Sequence, residues 1–283
     1  MCVPLLLAAA LLIFGLAEAI RPPVRRGMSV GFAQWPAGEP SLRIALLADI
    51  HLGNRAMSSA RLWTIVREVN EARPDLVLIA GDFVVGHTAN SGVNLAPNLR
   101  APLAGLRARL GTVAVLGNHD YWTSPTSIRT ALKAAGITVL ENSAVRRGPL
   151  NIVGIGDGFS GHADVRQALA AADGLGGIPV VLTHSPDVVH ELRSGLPLIL
   201  AGHTHCGQVV LPLLGPVLTR SPFQHWARLY DPKLRCGAVW DNGRLVIITA
   251  GLGSGSSPIR VGAPPDWWLV TLRAQPSTGS RPS

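Results

Sequence analysis

Five short polar blocks, each placed at the end of a short apolar run, constrain this chain more than any other feature of it. Leu42–Ala48 (LRIALLA) leads into Asp49-Ile50-His51. Leu76–Ala80 leads into Gly81-Asp82, and Thr112–Leu116 into Gly117-Asn118-His119-Asp120. Ile178–Thr183 ends on His184, and Leu196–Ala201 runs into Gly202-His203-Thr204-His205. Short apolar runs bounded by turn residues read as buried strands. Helical spacing fills the gaps between several of them. Leu62, Ile65, Val66 and Val69 fall at i, i+3, i+4 and i+7, with Ser58 or Ser59 as cap and Pro74 beyond the end. Ser124-Pro125 opens a helix through Ala135, Asp164 caps another, and Ser185-Pro186-Asp187 opens a third. Strands alternating with helices predict parallel pairing, and polar loops then meet at the carboxyl edge of the sheet. The last third is strand-rich, with runs at Val209–Leu211, Leu245–Thr249 and Leu269–Leu272. That is more strand than one helix-covered sheet needs, so an α/β fold with two stacked sheets is expected.

The five blocks carry three carboxylates, one amide and five imidazoles. Singly they say little. An Asp-x-His or a Gly-Asp arises by chance, and a lone strand-end histidine is usually a hydrogen-bonded residue. Asn118 by itself reads as turn chemistry. Together they form an ordered set of oxygen and nitrogen donors without thiolate, which suits manganese, iron or zinc.

The ordered pattern D-x-H, G-D, G-N-H-D, H and G-H-x-H resembles that of the calcineurin-like metallophosphoesterase superfamily, over about residues 42 to 273. His184-Ser185-Pro186-Asp187, Gly207-Gln208 and Ser257-Pro258-Ile259-Arg260 look like its bacterial membrane-associated branch. The resemblance implies a four-layer α/β/β/α sandwich, two stacked mixed sheets flanked by helices. It implies two divalent ions (Mn, Fe, Zn or Co). Asp49, His51 and His205 would hold one, Asn118, His184 and His203 the other, and Asp82 would bridge them. A bridging anion is what two close dications need to screen their repulsion. His119 would give a proton to the leaving group, because an imidazole titrates near neutrality. Asp120 would orient His119, and Arg260 would meet the substrate phosphate. Cys206 departs from the family glycine and is expected to be a neutral neighbour of His205 rather than a soft ligand.

The implied activity is hydrolysis of a phosphodiester or pyrophosphate bond at the membrane. UDP-2,3-diacylglucosamine, split to a lipid monophosphate and UMP, is the leading substrate. The alternative is an envelope phosphodiesterase or phosphatase acting on cell-wall or phospholipid substrates. A non-catalytic scaffold is disfavoured, since such proteins lose a ligand or the catalytic histidine and this sequence keeps both.

Composition narrows the rest. Of 283 residues, 47% are hydrophobic and 15% charged, which excludes a disordered chain. Three cysteines (Cys2, Cys206 and Cys236) exclude a disulfide scaffold and a four-thiolate zinc module. A Cys206–Cys236 bridge is conceivable, but plain thiols are the expectation. The net charge of +8 comes from scattered arginines, adjacent only at Arg25-Arg26 and Arg146-Arg147, so no nucleic-acid face is expected.

Residues 3–20 form an apolar run broken only by Glu18, at the short end of a bilayer span. Ala17-Glu18-Ala19 fits a signal cleavage site, but no positive charge precedes the run. Arg21, Arg25 and Arg26 follow it, which favours an uncleaved inner-membrane anchor with the body on the cytoplasmic side. The expected layout is an anchor or signal (1–20), a linker and lead-in strand (21–41), the main domain (42–273) and a disordered tail (274–283). His87 and His162 fall where loops could line the cleft mouth, and His190 falls on a helix face. Trp267-Trp268 reads as sheet packing, whereas Trp122 and Trp226 could meet an acyl chain or the bilayer interface.

Overall fold

A computed structural model describes residues 2–275. The chain opens with α1 (Cys2–Ile20) and β1 (Val24–Phe32), followed by β2 (Leu42–Leu47), α2 (Ser59–Glu71), β3 (Leu76–Ala80), α3 (Pro97–Leu103) and β4 (Thr112–Val115). Then come α4 (Asn118–Thr123), α5 (Pro125–Ala134), β5 (Thr138–Val139), β6 (Ser143–Arg147), β7 (Leu150–Gly154), α6 (Val165–Ala172), β8 (Ile178–Leu182) and β9 (Leu198–Ala201). A small hairpin of β10 (Val210–Leu211) and β11 (Gly215–Pro216) precedes β12 (Gly237–Asp241), β13 (Arg244–Ile248) and β14 (Asp266–Ala274).

Two six-stranded mixed sheets form, in the orders β1-β14-β2-β3-β4-β5 and β12-β13-β9-β8-β7-β6. The motif-bearing strands β2, β3 and β4 run parallel to one another, as do β8 and β9. Their alternation sorts each strand between two cores. Ile44, Leu46, Leu78 and Val115 face the second sheet and meet Ile152, Leu182 and Leu200 there. Ala45, Leu47, Ile79 and Ala114 face outward and pack on Leu62, Ile65 and Val69 of α2 and Ile128 of α5. On the second sheet Val153, Val181 and Ile199 pack on Ala168 of α6. Strands buried on both faces read as continuous apolar runs, which is why the sequence shows them so clearly. The four-layer sandwich follows from these three apolar layers.

The capping signals hold. The Ser58 side chain accepts from the Arg61 amide at the start of α2, and Asp164 accepts from the Gln167 amide at the start of α6. The helix expected after Ser185 is shorter, a 3₁₀ segment over Pro186–Glu191. Val209–Leu211 joins neither sheet but pairs within the hairpin. β1 arises inside the expected linker and pairs in parallel with β14. Ala274 ends β14, and the rest of the expected tail, from 276 on, lies outside the described residues.

Helix α1 is tied to the body at its C-terminal end. The Arg260 amide donates to Gly15 O at 3.0 Å, and Arg61 Nη1 donates to Ala19 O at 3.0 Å. A β-carbon on Gly15 would lie 2.5 Å from Ile259 Cγ2, so this contact needs a glycine. Among the described residues, no helix is long and apolar enough to cross a membrane.

The cysteines correct the expectation of free thiols. Cys206 and Cys236 form a disulfide, with Cα atoms 4.7 Å apart. Sequence separation hid this, because the fold carries the chain from β9 out through the hairpin and back to β12. The sulfur of Cys206 is thereby consumed and cannot serve as a metal ligand. Closing a 30-residue separation should contribute about 3–4 kcal/mol through the unfolded state. Reduction with dithiothreitol is therefore expected to lower Tm by roughly 5–15 °C. An unchanged melting curve would show that the loop is held by packing alone.

Candidate metal centre

Each block emerges from the carboxyl end of its strand and converges on one point. Asp49 and His51 follow β2, Asp82 follows β3, Asn118 begins α4 after β4, His184 follows β8, and His203 and His205 follow β9. Five of these residues adopt left-handed backbone: Asp49 (φ 52°), His51 (49°), Asp82 (56°), His203 (70°) and His205 (49°). Such conformations cost roughly 1–3 kcal/mol each for non-glycine residues and persist only where neighbours over-determine them. Backbone contacts between blocks do this. The Asp49 amide donates to Gly81 O at 2.9 Å and the His51 amide to Asp82 O at 3.0 Å. The His203 amide donates to both Asp49 carboxylate oxygens, at 3.2 and 3.1 Å. Gly251 (φ 78°) lets the facing loop close on the site, since a β-carbon there would lie 2.4 Å from Asp49 Cβ.

The donor atoms fall into two groups that meet at Asp82. Asp82 Oδ2 lies 3.5 Å from His51 Nε2 and 3.2 Å from His184 Nε2. On one side His51 Nε2 and His205 Nε2 are 3.1 Å apart, with Asp49 Oδ1 3.6 Å from the latter. On the other, Asn118 Oδ1 lies 3.1 Å from His184 Nε2 and 3.0 Å from His203 Nδ1. Backbone carbonyls choose the tautomers. His184 Nδ1 donates to Ala80 O at 2.6 Å, leaving Nε2 as a lone pair, and His203 Nε2 donates to Leu229 O at 2.9 Å, leaving Nδ1. This is how a protein fixes which ring nitrogen is offered to a metal.

Electrostatics agrees with a cation site. Asp49, His51, Asp82 and His184 are all buried. Burial pushes the Asp49 carboxyl up to about 8, despite the lowering influence of His184. Burial also holds His51 and His205 well below the ordinary imidazole range, and His203 at about 4. At Asp82 burial works upward, but the charges of His184, His119 and His51 outweigh it and hold the carboxyl well below its usual range. Burial lowers His184, but Asp82 more than reverses this and raises it. The Asp49 carboxylate, buried beside His51 and His205 that burial holds neutral, is costly in its charged form unless a cation joins them. The seven residues present fit two divalent ions sharing Asp82.

His119 stands at the cleft floor, its amide donating to Asp82 Oδ1 at 2.9 Å and its Nδ1 to Gly86 O at 2.6 Å. It also comes within ligand distance of His51 and Asp82. Asp120 does not do what was expected of it. Its carboxylate is buried and accepts from the amides of Asp82 (2.9 Å), Phe83 (2.8 Å) and Gly117 (2.9 Å). It thus pins the Asp82 loop to the turn that starts α4, while Gly86 O, not Asp120, orients the His119 ring. Burial raises the Asp120 carboxyl to about 7. Arg260 also departs from expectation. It is fully buried, donating to the carbonyls of Gly253 and Ala263 (both 2.9 Å), and its Nη2 lies 3.0 Å from His205 Nδ1. It lies behind His205 rather than facing substrate.

Sequence reasoning missed Asp157 and Tyr230. Asp157 follows β7 as the ligand blocks follow their strands, so the same strand-end rule points to it. It is buried, one oxygen has no partner, and its charge favours the protonated forms of His184 and His203. Tyr230 has a buried hydroxyl without a partner on the cleft wall, and no sequence signal marks it. His87 lines the cleft and its ring lies 4.6 Å from His119, whereas His162 stacks on Tyr121 at 3.7 Å. His190 is on the exposed side, 3.2 Å from Asp231. The cleft above the site has a volume of about 280 Å³, and Trp122, Phe159, Val217, Leu218 and Phe223 give it an apolar wall.

The profile of calcineurin-like phosphoesterases matches residues 42–207, the stretch that holds all seven donors. This chain belongs to that family. Its two mixed sheets and its cluster of buried carboxylates and imidazoles agree with that membership. A "Transmembrane protein with metallophosphoesterase domain" from Danio rerio is 30% identical over 287 residues, covering 95% of this chain and 62% of that protein. The chain therefore spans about three-fifths of that relative's length. An uncharacterized metallophosphoesterase of Aquifex aeolicus is 30% identical over 241 residues, covering 83% of this chain and 86% of that one. The UDP-2,3-diacylglucosamine pyrophosphatase LpxG of Chlamydia trachomatis is 27% identical over 289 residues, covering 83% and 84%.

The carboxyl shifts set a pH dependence for the metal-free protein. The folded Asp49 carboxyl titrates at about 8 against 3.8 in the open chain, so the folded state holds the extra proton between those values. Stability from this group is present at low pH and is lost as pH rises through 8. The depressed imidazoles change nothing above pH 7, being neutral in both states, whereas His184, raised by Asp82, keeps a proton there that the open chain has lost and adds to the fall. Thermal melts of chelator-stripped protein should fall between about pH 7 and pH 8.5, and metal-loaded protein should not show the fall. A flat stripped-protein profile would show that Asp49 ionises freely.

Proposed function

We propose that the protein hydrolyses a phosphodiester or pyrophosphate bond in an amphiphilic substrate at a membrane. The observation that carries this reading is the cleft itself: Asp82, Asn118, His203 and His205 of the proposed ligands form its floor beneath an apolar wall, with Asp49, His51 and His184 buried behind them. Asp49, His51 and His205 would hold one divalent ion and Asn118, His184 and His203 the other. When bound, the two ions would supply Lewis-acid stabilisation of charge on the phosphate oxygens and an acidified water. The protein's own part is positioning and proton transfer. His119, held through Nδ1 by Gly86 O, turns Nε2 toward the cleft and would donate a proton to the departing oxygen. Trp122, Phe159 and Phe223 would receive an acyl or other apolar portion of the substrate.

Two substrates follow from different observations. The likeness to LpxG supports a pyrophosphate-linked glycolipid, with UDP-2,3-diacylglucosamine as the specific candidate. The Cys206–Cys236 disulfide favours an oxidising compartment, hence a lipid or cell-wall phosphodiester outside the cytoplasm. Membrane association, with α1 as the anchor, is common to both readings.

The first test is activity of stripped and manganese-reloaded protein. Release of UMP from UDP-2,3-diacylglucosamine in mixed micelles would support the glycolipid pyrophosphatase. Cleavage of a chromogenic phosphodiester without UMP release would leave the extracytoplasmic phosphodiesterase. Two variants test the assigned roles. Asp82→Asn should abolish both metal retention and turnover. His119→Ala should keep its metals and slow poor leaving groups by about 10²–10⁴-fold. Loss of a metal from His119→Ala, measured by elemental analysis, would make His119 a ligand instead.

A further inference from the structure

The segment closed by the disulfide, Gly207 to Arg235, buries Tyr230 and Leu234 but exposes most of its other large apolar residues. At the tip of the β10–β11 hairpin Leu213 is fully exposed and Leu214 is 80% exposed. Leu213 also takes left-handed backbone (φ 65°), a position that favours glycine or asparagine. Neither folding nor solubility explains a leucine there. Phe223 (55%) and Trp226 (62%) on the following loop are likewise exposed. Several large apolar side chains exposed on one short segment mark an interaction surface.

Three further observations choose the partner. The segment carries Arg220, Arg228, Lys233 and Arg235 against a single carboxylate, Asp231, so its charge complements an anionic surface. Second, α1 exposes Leu11, Leu12, Ile13 and Phe14, consecutive residues that together cover all sides of the helix. A helix apolar all round needs an apolar surrounding. Third, the two features share a root. Arg260 donates its amide to Gly15 O in α1, and neighbouring Val261 pairs with Val209 at the base of the hairpin.

We propose that the Gly207–Arg235 segment is a bilayer-docking loop. Leu213, Leu214 and Trp226 enter the interface of an anionic lipid bilayer, and Arg220 and Arg228 sit at its headgroups. Val217, Leu218 and Phe223 of the same segment line the cleft, so docking opens the cleft onto the lipid surface. The disulfide holds the loop's base and anchors it beside His205. The inference goes beyond the substrate reading above and does not depend on which bond is cleaved.

The test uses the full chain with vesicles of phosphatidylcholine containing about a quarter phosphatidylglycerol, or none. Backbone hydrogen exchange reads the loop itself, whatever α1 contributes to binding. Exchange over residues 209–229 should slow on anionic vesicles. Leu213→Ser with Leu214→Ser should lose that protection and partition at least tenfold more weakly. Arg220→Gln and Arg228→Gln should each weaken partitioning about fivefold, with the loss growing smaller at high salt. Turnover of a soluble chromogenic phosphodiester by the leucine variant should stay unchanged, which separates docking from catalysis. Three results would overturn the proposal. One is no binding to anionic vesicles, and another is bound protein whose loop exchanges as in solution. The third is concentration-dependent protection without lipid, which would assign the patch to a second copy of the chain.

Discussion

Asp82 is buried at the end of a central strand, and the rest of the site is arranged around keeping its charge there. Its carboxylate touches His51 and His184 and accepts from the His119 amide. Its own amide is held by Asp120. An ionised carboxylate in such a place is tolerated only when opposite charge and donors surround it. The stacked sheets make this possible, because parallel strands present several chain ends at one edge without using their loops for pairing.

The neighbouring residues hold the site at a cost. Five of the proposed ligands have backbone conformations that ordinary residues avoid, so each depends on contacts from another block. Asp120 and Arg260 make those contacts, one beneath Asp82 and one behind His205. A fully buried arginine with its donors committed to the carbonyls of Gly253, Ala263 and Ala250 ties together the loops behind His205. Their roles are thus structural, where the resemblance implied that Asp120 orients His119 and that Arg260 meets the substrate phosphate.

Beyond the metal floor, the disulfide-closed segment decides how the cleft is reached. It contributes apolar wall on its inner side and exposed leucines on its outer side. This rim would put the proposed hydrolytic chemistry at the bottom of an apolar approach, which is the reason an amphiphilic substrate is proposed.

By itself the sequence determined the buried strands that carry the blocks, the α2, α5 and α6 helices and the order of the five blocks. Buried parallel strands must be apolar on both faces, and polar residues directly beyond them can only sit at the sheet edge. The grouping of Asp49, His51, Asp82, Asn118, His184, His203 and His205 was legible for that reason. Only the tertiary structure decided what depends on distance between remote segments. It joined Cys206 to Cys236, turned Arg260 inward behind His205, and gave the orienting of His119 to the Gly86 carbonyl instead of Asp120. It also brought Asp157 and Tyr230 to the site and left the hairpin tip bare. None of these leaves a periodic trace in the chain, because each is set by how two sheets and their loops pack in space rather than by any local preference.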